Sequence, residues 1–208
     1  KLLAGATPPY ELVELYDDPP LLHHNQYRDH LREIELDGAG NLYVLNANAL
    51  NESDMLWRYQ PDGRIDCVDL GRRDGGAYVP APIAMHVSKA TGKLYLASAL
   101  LDTVDPESST IYGFSTQGDI ALETSVAIPG LQHVTSMTED AQSGTLWVAG
   151  FSVSDLSPYP NPTRPAFYYA RLAKISLAGN KVELLHLFDP ASHDLSLPLS
   201  VLWTGVGE

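Results

Sequence analysis

Three short strings recur at a fixed interval: Gly40-Asn-Leu-Tyr-Val44, Gly92-Lys-Leu-Tyr-Leu96 and Gly144-Thr-Leu-Trp-Val148. Their glycines are 52 residues apart both times. A fixed period of this size restricts a chain to architectures in which each unit buries its apolar faces against its neighbours. The match extends on both sides. Upstream lie alternating apolar segments, Leu31–Asp37, Pro82–Ser88 and Val134–Asp140. Downstream lie Met55–Gln60, Thr110–Ser115 and Arg171–Ser176. Turns ending in Gly63, Gly118 and Gly179 come next, and Arg64–Leu70, Asp119–Ile128 and Lys181–Phe188 close each unit.

Each unit therefore reads as four short strands separated by Gly, Asn and Asp turns, with no sustained helical period. Four antiparallel strands at this spacing predict an all-β chain, a β-propeller of four-stranded blades. The predicted complete blades are 31–70, 82–128 and 134–188. Lys1-Leu-Leu-Ala-Gly5 parallels the segment Lys174–Gly179, and Tyr10–Pro19 parallels Lys181–Pro190. Residues 1–19 thus read as the last two strands of a preceding blade, and Leu197–Trp203 as the first strand of a following one. Three blades do not close a ring. The expectation is a single propeller domain that forms the C-terminal part of a larger ring of about six or seven blades. The missing blades would come from an N-terminal segment or another chain.

The residues Asp37-Gly-Ala-Gly-Asn-Leu-Tyr-Val44 and Leu56-Trp-Arg-Tyr-Gln-Pro-Asp-Gly63 resemble the blades of NHL-type and gluconolactonase-like propellers. The first unit carries this resemblance well and the other two more loosely. It implies a fold more than an activity. Gluconolactonase-like enzymes hold a metal on the propeller axis with a carboxylate, Asn and Asp set. Those positions do not transfer to this chain. Glu33, Glu35 and Glu139 fall in predicted inner strands without a family motif around them.

Composition narrows the function. Acidic residues number 26 against 13 basic ones, giving a net charge of −13, which disfavours nucleic acid and anionic lipid. No apolar run approaches the ~18–20 residues of a membrane span. Cys67 is the only cysteine, so no internal disulfide or cysteine metal motif is available. In its alternating strand it reads as a half-buried core thiol. Phosphate-binding loops, nucleophile elbows and His-Glu-x-x-His are missing as well.

Loop lengths supply the strongest functional signal. Antiparallel order puts the first and third turns of each unit on one end, where they are short. The other end carries the long connections Asn46–Asp54, Ala99–Ser109 and Gly150–Tyr169, with 17–30 and 71–81 between units. Connections longer than a turn requires are where function concentrates. The candidate ligand-binding residues at this end are His24, Arg28, His30, Arg73, Tyr78, His133, Tyr159 and His193. His133 and His193 are read as loop residues just ahead of inner strands. Imidazoles near an axis suit metal ligation or proton transfer, or simple hydrogen bonding within loops. His86, inside a strand, reads as structural. Acidic groups at Glu52 and Asp54, and at Asp102, Asp105 and Glu107, read as solvated loops. A divalent cation there would need more oxygens than any pattern supplies. The Pro- and Tyr-rich stretch 151–169 suits partner binding. Asn51-Glu-Ser53 is a glycosylation sequon.

The reading that emerges is a non-catalytic propeller that binds a protein or carbohydrate-like partner through its long-loop end. It would act outside the cytoplasm, secreted or periplasmic, or as a subunit of a larger assembly. The alternative is a metal-dependent hydrolase or lactonase of the gluconolactonase-like type.

Overall fold

The computed structural model describes residues 31–47, 54–71, 78–98, 108–153 and 168–187. The predicted strands at Lys1–Leu3 and Leu197–Trp203, and with them the expected open ends of the ring, lie outside the described residues.

Among the described residues there are twelve strands and no helix. The first sheet holds β1 (Leu31–Leu36), β2 (Leu42–Asn46), β3 (Met55–Tyr59) and β4 (Ile65–Asp69). The second holds β5 (Pro82–Val87), β6 (Leu94–Ser98), β7 (Ser108–Ser115) and β8 (Ala121–Pro129). The third holds β9 (His133–Asp140), β10 (Thr145–Val153), β11 (Tyr168–Ser176) and β12 (Lys181–Leu187). Each is antiparallel, with its strands side by side in chain order. The three predicted units are thus three sheets of one design. The first strands β1, β5 and β9 lie beside one another in turn.

Register places the repeated aromatics in equivalent positions. Tyr43 faces Glu35 and Arg58, Tyr95 faces His86 and Gly113, and Trp147 faces Thr138 and Lys174. Partners across a ladder share a face, so this register also sorts every strand residue to one side or the other.

Two apolar layers form between the sheets. Tyr43, Leu45 and Leu56 of the first sheet meet Met85, Leu96 and Phe114 of the second. Tyr95, Ala97 and Ile111 of the second meet Val134, Leu146 and Val148 of the third. β6 is buried along its whole length. Alternation explains how: Leu94 and Leu96 serve one layer, Tyr95 and Ala97 the other. A strand covered on both faces reads as a continuous apolar run, and Leu-Tyr-Leu-Ala is one.

The turns follow local chemistry. In the first turn Asp37 accepts from the backbone N–H of Ala39 and Asn41 at 2.9 and 2.8 Å. It also accepts from the Asn41 side chain and the Tyr43 hydroxyl. Gly40 has a φ of 84° there, in the left-handed region that glycine enters without a Cβ penalty. The Asp-x-x-Gly-Asn-x-Tyr string is therefore a hydrogen-bonded turn.

Several sequence expectations need correction. β7 and β11 begin earlier than predicted, at Ser108 and Tyr168, and β10 runs on to Val153. The reason is pairing: Ser108 reaches Pro129 and Val153 reaches Tyr168, so ladder bonds absorb residues read as loop. Cys67 is exposed rather than half-buried in a core. It lies opposite Trp57 on the outward face of the first sheet. Partial burial of its sulfur, then Asp66 and Asp69, still push the thiol pKa up. Asp54 is 4% exposed, not solvated, and its carbonyl accepts from the Leu70 N–H at 2.8 Å. No helix among the described residues is long and apolar enough to cross a membrane.

Candidate functional site

Two groups of polar residues stand out, one at each end of the first strands. At the long-connection end, His133 opens β9 rather than preceding it. It pairs with Phe151 of β10, and their rings stack at 4.8 Å with 26° between planes. The stack depends on a bulge between Ala149 and Gly150. A methyl group at Gly150 would land on the His133 carbonyl oxygen, so only glycine lets the two strands approach there. Burial, then the Arg32 charge, hold the His133 imidazole below its ordinary 6.5. It is therefore biased toward the neutral form, with one nitrogen a donor and the other an acceptor.

Around this stack, Arg32 donates through Nε to the Ala47 carbonyl at 3.2 Å. Arg171 donates through Nε to the Gly130 carbonyl at 3.2 Å and lies 6.0 Å from the Tyr169 ring centre. Ser109 and Ser152 are buried at 0% and 7% exposure, and neither Oγ has a hydrogen-bond partner. A buried hydroxyl without a partner calls for a water or a ligand group to satisfy it.

Of the candidate ligand-binding residues read from the sequence, His133 and Tyr78 are described. Tyr78 is half-buried and precedes Val79, which is wholly buried in the first apolar layer and donates to the Leu70 carbonyl. His24, Arg28, His30, Arg73, Tyr159 and His193 lie outside the described residues. Phe151, Ser109 and Ser152 were not singled out individually, because the sequence reads them as loop. Their signal is the extension of the β7 and β10 ladders.

The second group lies toward the short turns and joins all three sheets. Glu33 accepts from the Met85 N–H of the next sheet. Glu35 Oε1 is 3.6 Å from His86 Nδ1, and Glu139 Oε2 is 3.7 Å from His86 Nε2. His86 thus sits between carboxylates from the sheets on either side. Glu139 also accepts from the Ser88 hydroxyl and from the N–H groups of Lys89 and Ala90, the last two at 2.7 and 3.2 Å. The β5–β6 turn lacks the aspartate that organises the β1–β2 turn, and the carboxylate of β9 stands in for it. Burial raises the Glu33 pKa; the Met85 N–H lowers it, Glu35 raises it and His86 lowers it, for a net rise.

Chemically, these inner carboxylates are occupied by backbone donors and one imidazole. Among the described residues no group of three or more His, Cys, Asp or Glu is arranged to hold a metal ion. The long-connection end differs, offering stacked rings, a neutral imidazole and hydroxyls not satisfied within the chain. The chain matches no protein-family model and no curated protein sequence.

Proposed function

We propose that the protein is a β-propeller of the NHL or gluconolactonase-like kind. In this reading it binds a carbohydrate-like or protein partner, without catalysis, at its long-connection end. The observation that carries the reading is the His133–Phe151 stack at the long-connection end. Ring faces pack against sugar C–H surfaces. A neutral imidazole exchanges hydrogen bonds with sugar hydroxyls in both directions. The connections that follow β2, β6 and β10, at 47–54, 99–107 and 154–167, would supply further contacts.

The propeller is supported by sheets stacked face to face with their first strands adjacent. Binding is preferred to lactone hydrolysis because Glu33 and Glu139 are engaged by backbone N–H groups. The net charge of −13 disfavours an anionic partner.

The test is a glycan array on the full chain, followed by calorimetry on the best ligand. Phe151→Ala and His133→Ala should each weaken binding about ten-fold or more, the scale of one lost ring contact. Unchanged affinity in both would overturn the site. Hydrolysis of an aldonolactone, abolished by a chelator and restored by a divalent ion, would overturn the non-catalytic reading.

A further inference from the structure

The link between the second and third sheets, Gly130-Leu131-Gln132, is tied to both of them. The Ser109 N–H of β7 donates to the Leu131 carbonyl, and the Gln132 N–H donates to the Phe151 carbonyl of β10. Arg171 of β11 donates through Nε to the Gly130 carbonyl at 3.2 Å. Ser109, Arg171 and Ser152, the residue after Phe151, therefore border one short stretch of chain.

Parity decides where their side chains point. Ser109 shares a face of β7 with Ile111, which packs in the second apolar layer. Ser152 shares a face of β10 with Leu146 and Val148 of the same layer. Arg171 stands opposite Gly150 and shares a face of β11 with Ala173, which also packs there. All three side chains thus face the space between the second and third sheets, at its long-connection end. The His133–Phe151 stack is on the other face of β10.

An acceptor is what this place lacks. Ser109 is 0% exposed and Ser152 7%, and neither Oγ has a hydrogen-bond partner. Arg171 is half-buried. Burial lowers its pKa and Tyr169 raises it, for a net fall, and no carboxylate contributes. That is unexpected in a chain with 26 acidic residues. A water molecule would satisfy the hydroxyls but leave the guanidinium charge without a counter-charge in a poorly solvated place. An anion satisfies both needs, because hydroxyls rotate to donate and the terminal guanidinium nitrogens still carry N–H groups.

We propose that this place between the second and third sheets binds a small monovalent anion of chloride size, held by the Arg171 guanidinium and the hydroxyls of Ser109 and Ser152. The burial of both serines excludes phosphate esters and sugars, so the site is separate from the partner-binding reading. The net charge of −13 repels anions in solution, but inside the protein the adjacent charge dominates. Because β7 belongs to one sheet and β10 and β11 to the next, the ion ties the two sheets together.

Crystals of the full chain grown in sodium bromide test the site directly. An anomalous bromide peak should lie against Arg171, Ser109 and Ser152. Urea unfolding at constant ionic strength, with chloride replaced by the bulkier isethionate, tests the linkage. Above the dissociation constant, the folded-to-unfolded ratio should rise about tenfold for each tenfold rise in chloride. Arg171→Gln, and Ser109→Ala with Ser152→Ala, should each flatten that dependence. The crystal decides even where a variant fails to fold. A water molecule at the three side chains, or no peak there, overturns the proposal. A bromide peak without chloride dependence is an adventitious ion only and overturns it too. So does a chloride dependence equal in the wild type and the folded variants, which reports a general salt effect.

Discussion

At the scale of single residues, His133 links the proposed site to pH. Its native imidazole pKa lies below the ordinary 6.5 because of burial and then Arg32. The unfolded chain therefore takes up the proton first as pH falls. The contribution of neutral His133 to stability is complete above 6.5 and is lost as pH falls toward the lowered native value. In His133→Gln, urea unfolding between pH 7.5 and 5 should show a smaller acid-side loss than in the wild type. Glu33 runs the other way. Its raised pKa means the native state favours the protonated carboxyl, so the charged form is the strained one at neutral pH. Glu33→Gln keeps an acceptor for Met85 and removes the charge. It should raise the urea midpoint at pH 7, with the advantage vanishing below the ordinary glutamate range. An unchanged midpoint at pH 7 would mean that burial costs Glu33 nothing.

At the scale of strands and turns, glycine placement decides where backbones can approach. Gly150→Ala forces a methyl group onto the His133 carbonyl, and the obstruction is backbone, which cannot rotate away. The cost should reach about 2–4 kcal/mol, at or above the upper end for overpacking, with loss of any ligand bound at the His133–Phe151 stack. Gly118→Ala meets no neighbouring atom but sits at φ 70°, so its cost should stay near about 1 kcal/mol. Thermal melts of the pair would separate crowding from strain. This scale is also where the sequence was most legible. A 52-residue period and alternating apolar strands are local signals, and they located twelve strands with ends off by a few residues. His133 and Phe151 were harder to place, because a bulge and an extended ladder depend on which strand lies alongside. Cys67 was misread for a related reason: its neighbours Asp66 and Val68 face the covered side, and only the register reveals that parity.

At the scale of the whole molecule, the sheets are joined by polar ties as well as apolar layers. Arg58, 5% exposed, bridges Asp66 and two carbonyls of the next sheet. Burial opposes its charge, but the hydrogen bonds it donates to Asp66 and Tyr43 outweigh it and raise its pKa. Arg58→Met should cost about 1–3 kcal/mol, the range for hydrogen bonds to a charged group, because Asp66 can recover water. Glu139→Ala strips the β5–β6 turn of its carboxylate and should cost a similar amount. If the ties act across sheets, either variant should speed amide exchange in the neighbouring sheet as well as its own. The inner Glu35–His86–Glu139 row was invisible beforehand because its members are about 50 residues apart in sequence and meet only once the first strands align.

The middle sheet has apolar side chains on both faces of β6, each face matched to a different neighbour. Such a sheet has no stable existence by itself, so opening either flanking sheet exposes a surface that water disfavours. Amides of β6 should therefore exchange only through complete unfolding, while those of the outermost strands β4 and β12 open in smaller fluctuations. Backbone cleavage within strands should follow the same order, reaching β4 and β12 before β6.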